Sequence, residues 1–338
     1  MDIITAYCTD AGAIKRINQD SLCVMHAVSG IENAVLLAVC DGLGGLSDGE
    51  TASSFVITRL SEWFENSVRK HIENKSTILT VRKDLDLMLH ETSDIINLYS
   101  DETGRLSGTT MTCMLYIEHF GKFLCAHIGD TRLYKITDEK TEILTTDHSV
   151  LSDEIRKGII SEEEASGDER QNQLTKCMGA GLKNISFDYR IDSAERDAVY
   201  VICSDGFRKK LKNDEISSIY SSASPEARLR ELLPEGQREA AEIVCRMHVW
   251  QVTDDEASDN EVNARSWLEL SRQADVIAGV FPPVAIVGLI MARGEADDNP
   301  DFRDWREPMV VTPISQVNQV LQSGKTCQKF NFLRWQHV

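Results

Sequence analysis

The first two-thirds of the sequence predict a mixed fold in which β-strands are separated by helical hairpins. Three observations carry that prediction. Two apolar runs, "NAVLLAVC" at 33–40 and "DAVYVIC" at 197–203, lead into an acid and a glycine, the first directly and the second after Ser204. Short apolar runs closed by turn residues fit buried strands. Between 50 and 68, Ala52, Phe55, Val56, Leu60, Trp63, Phe64 and Val68 recur at helical spacing and form one stripe. The segments "TMTCMLYIE" (110–118) and "GKFLCAHIG" (121–129) read as a hairpin.

The other elements follow in order. Leu85, Met88, Leu89, Thr92, Ile95 and Ile96 make a second helical stripe. "TRLYKIT" and "TEILTT" read as further strands. "SEEEA" at 161–165 reads as a helix start with a capping box, Ser161 reaching forward and Glu164 reaching back. No internal repeat is visible. The stretches 234–275 and 301–338 show no clear periodicity.

Composition narrows the function. The chain is 42% hydrophobic and 27% charged, as an ordinary globular protein is, and its formal net charge is −18. Such a surface repels nucleic acid and anionic membranes and suits bound cations. The nine cysteines form no CxxC pair and no Cys/His cluster. Several lie inside apolar runs, which fits reduced core residues of a cytoplasmic protein. "MDIITAYCTDAG" lacks the basic start and apolar stretch of a signal peptide. Residues 276–292, "VIAGVFPPVAIVGLIMA", carry no charge but are short for a membrane span and are broken by Pro282-Pro283. A buried strand or helix is the preferred reading there, with membrane attachment as a minor alternative.

The acids are the chemical signal. Asp41 and Asp205 stand at the ends of the two apolar runs, Asp20 in "NQDS" and Asp130 in "IGDTR". One Asp-Gly is by default a turn. Four carboxylates at strand ends are different, because gathered acids repel and cannot all ionise together without cations. Mg²⁺ or Mn²⁺, hard ions that prefer oxygen, are the natural partners. A glycine beside the acid lets a backbone carbonyl join the ligands.

In order the chain carries "GAIKRINQDS", "DGLGGLSDGETAS", "SGTTMTCML", "AHIGDTRLY", "LTTDHSV", "GIISEEEA" with "NQLTKCMGAG", and "CSDGF". These pieces, in this order from about residue 5 to 215, resemble the bacterial form of the PPM, or type 2C, metal-dependent serine/threonine protein phosphatases. The resemblance implies an α+β fold, a four-layer αββα sandwich of two antiparallel sheets flanked by helices, with a divergent C-terminal region. It implies a phosphatase domain over 1–300 and a tail of unknown structure over 301–338. It also implies a centre of two Mn²⁺ or Mg²⁺ ions, with a weaker third. Asp41 would bridge the two metals, the Gly42 carbonyl would bind one, and Asp205 would bind from the other face. Asp20 would lie in or just behind the shell, and Asp130 would help to hold the third ion. Paired ions about 3.5–4 Å apart activate a water that attacks phosphorus directly, so no nucleophilic Cys or Ser is needed. The expected substrates are phosphorylated proteins made by a Ser/Thr kinase.

Departures from the pattern matter as well. Lys15 stands where relatives commonly have a phosphate-gripping arginine. It keeps the charge but loses the bidentate fork, and Arg16 beside it is a possible substitute. Leu43 replaces the histidine that some relatives place after Asp-Gly. His148 is then a candidate proton donor, with a structural role in the flap region the preferred reading. The family's closing "DN" aspartate, a metal ligand, has two candidates, Asp259 in "EASDNEV" and Asp298 in "RGEADDNPDF". Asp298 has the better flanking text. Its long preceding loop is not prohibitive, since each doubling of length costs only about 0.6 kcal/mol. Pro300 cannot start a central strand there, so "VAIVGLIM" (284–291) or "MVVTPI" (309–314) is offered as the closing strand. Should the last ligand be misplaced, the alternative is a degenerate member that binds phosphoprotein or metal without turnover.

Overall fold

The computed structural model describes residues 2–11, 17–29, 32–43, 48–195, 197–209, 211, 213–221, 228, 231–232, 239–248 and 328–334. Its strands are β1 (Asp2–Ala11), β2 (Asp20–Ser29), β3 (Glu32–Asp41), β4 (Gly108–Thr109), β5 (Met111–Ile117), β6 (Lys122–Ile128), β7 (Arg132–Ile136), β8 (Thr141–Ile143), β9 (Met178–Gly179), β10 (Asp188–Ser193), β11 (Val199–Cys203), β12 (Glu239–His248) and β13 (Gln328–Arg334). Its helices are α1 (Gly49–Trp63), α2 (Arg69–Glu73), α3 (Ile78–Thr103), α4 (Val150–Arg156), α5 (Glu162–Ser166), α6 (Asp205–Arg208) and α7 (Asn213–Ser217). A π-helical turn, Phe64–Val68, links α1 to α2.

Two sheets form the centre. One runs β1-β12-β11-β7-β8, the other β10-β6-β5-β3-β2-β13, and β4 pairs with β9 separately. Period-two burial explains why the apolar runs are continuous. Ala34, Leu36, Ala38 and Cys40 of β3 join Val56, Leu60, Leu85 and Leu89 from α1 and α3 in one cluster. Their neighbours Val35, Leu37 and Val39 meet Leu133, Tyr200 and Ile202 of the other sheet in a second cluster. Val199, Val201 and Cys203 face outward with Phe207 and Ile216 in a third. A strand with both faces buried cannot afford polar alternation. Three apolar layers between four structural layers give the αββα sandwich.

Local predictions translate directly into structure. The predicted hairpin is β5–β6, with Ile117 opposite Lys122. The Ser161–Glu164 capping box is present at α5. Ile95 departs from its predicted stripe and is exposed. The buried face of α3 runs through Val81, Leu85, Met88, Leu89, Thr92 and Ile96, and Ile95 is rotated by about 100° from Ile96.

Two corrections concern the sheets and their last strands. Sheet pairing is not wholly antiparallel, because β13 lies parallel to β2, from Gln328 opposite Leu22 to Arg334 opposite Val28. Sequence patterning also missed β12, which lies in the first sheet between β1 and β11. Its text, EAAEIVCRMH, mixes charges among the apolar residues and so blurs a buried-strand signal. "VAIVGLIM", "MVVTPI" and the uncharged run 276–292 lie outside the described residues. Among the described residues no helix is long and apolar enough to cross a membrane.

Candidate active site

Strand register brings the predicted acids to one end of the sandwich. Asp20 begins β2 and Asp41 ends β3, and the two are direct antiparallel partners. Directly opposed residues have Cα atoms about 4.5–5.5 Å apart. The first sheet reaches the same point through Ser204, which follows β11. Its hydroxyl donates to Asp20 Oδ2 at 2.7 Å. Asp205 is the next residue and opens α6. Asp130, between β6 and β7, feels the charge of Asp205. The structure therefore gathers Asp20, Asp41, Asp130 and Asp205 from four separate segments.

Backbone contacts show why glycines accompany these acids. Gly42 donates its N–H to the Gln19 carbonyl at 3.1 Å. A Cβ on Gly42 would lie 2.4 Å from the Gly49 carbonyl oxygen and 2.7 Å from that of Gln19. Gly42 and Gly49 thus meet backbone against backbone beside Asp20 and Asp41. Asp41 itself is held by Thr110. Its N–H donates to Thr110 Oγ1 at 3.0 Å, and its carbonyl accepts from Thr110 N–H at 2.9 Å and Thr109 Oγ1 at 2.9 Å.

His148 has a structural duty here. Its Nδ1 accepts from Gly129 N–H at 3.1 Å, while its own N–H donates to the Gly129 carbonyl at 2.7 Å. Gly129 adopts φ +106°, and a Cβ there would meet Thr110 at 2.5 Å. The histidine therefore fixes the turn that supports Thr110 and precedes Asp130. Its ring is buried and stacks on His127. Burial, and then the Lys176 ammonium, lower its pKa.

Two basic residues, Arg208 and Lys209, stand against the acids. Arg208 Nη2 lies 3.2 Å from Asp130 Oδ2, from the Asp130 carbonyl and from Asp147 Oδ2. Asp147 also takes a bidentate pair from Arg132, both contacts at 2.8 Å. Burial pushes the Asp130 carboxyl up to about 6, against the opposing pull of Arg208. Lys209 pairs with Asp205 and with Asn172. The motifs "CSDGF" and "LTTDHSV" mark these segments in the sequence, but their pattern does not single out Ser204, Asp147, Arg208 or Lys209. Basic residues directly after Asp-Gly-Phe were the available signal.

The donor set is all carboxylate and carbonyl oxygen, which suits hard divalent cations. Asp20 and Asp41 are like charges on adjacent strands, and a cation would relieve their repulsion. Asp41, Asp20, the Gly42 carbonyl and Asp205 fit such a group. Among the described residues, no three His, Cys, Asp or Glu side chains are placed so that they could hold a metal ion by themselves. Lys15, Arg16, Asp259 and Asp298 lie outside the described residues. Among the described strands, β12 starts at the same end of the first sheet as the gathered acids. Cys203 at the end of β11 is opposite Glu242, so Glu239, at the start of β12, stands at the same end of the sheet as Asp205.

A sandwich of this kind, with acids from both sheets meeting at one edge, defines the PPM class of phosphatase fold. Residues 13–239 match the sequence profile of the family described as protein phosphatase 2C. The protein phosphatase PhpP of Streptococcus pneumoniae is 30% identical over 227 residues, covering 67% of this chain and 87% of that one. The serine/threonine phosphatase stp of Listeria monocytogenes is 28% identical over 219 residues, 63% of this chain and 81% of that one. The crystal structure of serine/threonine phosphatase Stp1 from Staphylococcus aureus superposes with a TM-score of 0.63 at 25% identity, over 73% of this chain and 95% of that one. The chain belongs to the protein phosphatase 2C family of serine/threonine phosphatases, in its bacterial PPM form.

Proposed function

We propose that this chain hydrolyses phosphoserine and phosphothreonine in proteins, using divalent metal held at the edge where the two sheets meet. The observation that carries the reading is the direct pairing of Asp20 with Asp41, joined to the Asp205 segment by the Ser204 hydrogen bond. Asp41, Asp20, the Gly42 carbonyl and Asp205 would hold two Mn²⁺ or Mg²⁺ ions. When bound, such ions lower the pKa of a shared water and neutralise phosphate oxygens. Asp41, fixed at its backbone by Thr109 and Thr110, keeps its carboxylate in register with Asp20. Lys15 would supply a positive charge for the incoming phosphate. Leu43 offers no proton, so the leaving oxygen would take its proton from solvent.

Thiol chemistry is a poor fit to the described cysteines. Cys40, Cys113 and Cys125 are fully buried, and burial raises their pKa values, that of Cys113 to about 12. A buried neutral thiol is an inert nucleophile. The substrates would be products of a Ser/Thr kinase. Metal-dependent turnover is tested with p-nitrophenyl phosphate and a phosphothreonine peptide. EDTA should abolish hydrolysis, Mn²⁺ should restore it, and Asp41→Asn should lose both metal and turnover while keeping the fold. Chelation-insensitive turnover, or wild-type rates in Asp41→Asn, would move the site elsewhere.

A second reading rests on the Lys209–Asp205 pair, which neutralises an acid without metal. On that reading the chain is a non-catalytic member that binds phosphoprotein. The same assay separates the two, since only the first gives Mn²⁺-dependent turnover.

A further inference from the structure

The buried network around Asp130 does not fit an exchangeable ion. Arg208 and Asp130 are both largely buried, with side chains 12% and 8% exposed. Arg208 Nη2 contacts the Asp130 carboxylate, the Asp130 carbonyl and Asp147, each at 3.2 Å. Arg132 holds the other side of Asp147. Two guanidinium groups thus balance two carboxylates, and the cluster is neutral without metal. Arg208 Nε is buried with no hydrogen-bond partner. A guanidinium that leaves one donor unsatisfied is held there by charge, since an unmade buried hydrogen bond is itself unfavourable. A divalent ion on Asp130 would sit beside this fixed positive charge, with little water between to screen it.

The Lys209–Asp205 pair differs in kind. Both side chains are 29% exposed, and a lysine on a flexible stem can swing into water when an ion arrives. Arg208 has no such freedom. Its guanidinium is tied to two carboxylates and a carbonyl, with Phe207 buried beside it in the chain.

We propose that the Arg208 guanidinium permanently occupies the cation place at Asp130, so that this chain takes up ions only at the Asp20/Asp41/Asp205 edge. The proposal rests on the metal-centre reading above. It makes Arg208 a positioning residue that holds the turn after β6 by charge.

The test counts Mn²⁺ bound per full-length chain by equilibrium dialysis and titration calorimetry, with Mn²⁺ alone as the probe. Asp130→Asn should leave both the number of ions and their affinity within twofold of wild type. Arg208→Gln should bind one additional ion, and Arg208→Gln/Asp130→Asn should lose it again. Loss of an ion from Asp130→Asn, or a folded Arg208→Gln that gains none, overturns the proposal. Arg208→Gln leaves Asp130 buried and unpaired, so it can unfold. In that event the nearly isosteric Asp130→Asn decides alone, by keeping or losing an ion. Wild type that binds no Mn²⁺ removes the metal-centre reading and this proposal together. Loss of ions from Asp41→Asn with none lost from Asp130→Asn supports both.

Discussion

Ser204 and Asp20 stand 184 positions apart in the sequence, yet the Ser204 hydroxyl donates to Asp20 Oδ2 at 2.7 Å, with both residues buried. The bond ties the end of β11 in one sheet to the start of β2 in the other. It also leaves Asp205, the residue after Ser204, at the same edge. A buried hydrogen bond to a charged group contributes about 1.5–3 kcal/mol. Ser204→Ala should lower the metal-free stability by about that amount, read as an earlier urea midpoint with unchanged slope. An unmoved midpoint would mean that the bond is only geometric.

Glycine at 42 is required by space. A Cβ there would lie 2.4 Å from the Gly49 oxygen, and backbone cannot move aside as a side-chain tip can. Gly42→Ala should destabilise by at least about 1–3 kcal/mol and distort the edge beside Asp41. Gly167→Ala is the control, because nothing lies within 4 Å of its Cβ and its φ is not positive. Thermal denaturation of both variants should show a lowered Tm only for Gly42→Ala.

His127 should make the fold acid-sensitive. Burial, and then neighbouring His148, lower its pKa to about 4. The Thr146 carbonyl can only accept, so Nε2 carries the proton, and Nδ1 accepts from Thr112 at 2.8 Å. The unfolded chain takes up the proton first, near pH 6.5. Stability from neutral His127 is therefore complete above pH 6.5 and is lost as the pH falls from 6.5 to about 4. Asp130, raised to about 6, has the opposite slope in part of this window, so the wild-type curve alone is flattened. The comparison with His127→Gln isolates the histidine. Between pH 7.5 and pH 5 the wild type should lose about 2 kcal/mol relative to the variant in urea unfolding. Parallel curves would mean that His127 titrates normally in the fold.

The closing acid is open to a direct comparison. Sequence text favours Asp298 over Asp259, while the register of β12 puts Glu239 at the same sheet end as Asp205. Mn²⁺ titration of Glu239→Gln, Asp298→Ala and Asp259→Ala should show one site lost in a single variant. The position of β12 makes Glu239→Gln the expected one. Loss in Asp298→Ala alone would restore the sequence-based choice, and loss in none would strengthen the non-catalytic reading.

By itself the sequence determined whatever depends on neighbours in the chain. "NAVLLAVC" and "DAVYVIC" are β3 and β11 because a strand buried on both faces must be apolar throughout. Ser161 and Glu164 cap α5 because the two ends of a capping box lie one turn apart. The acids Asp20, Asp41, Asp130 and Asp205 were visible as strand-end residues, and the order of the motifs marked the family. The polar edge strand β10, DYRIDS, and the charge-interrupted β12 escaped, since neither has a pattern that separates it from a loop. Only the tertiary structure decided which groups neutralise the acids. The contacts of Ser204 with Asp20 and of Arg208 with Asp130 and Asp147 join segments with no regular spacing in the chain. His148 likewise became a support for Gly129 rather than an open proton donor once the turn before β7 folded against it. Periodicity reports which face of an element is apolar. It carries no information on which charged end of one strand meets which end of another, because sheet register and the stacking of two sheets set those distances.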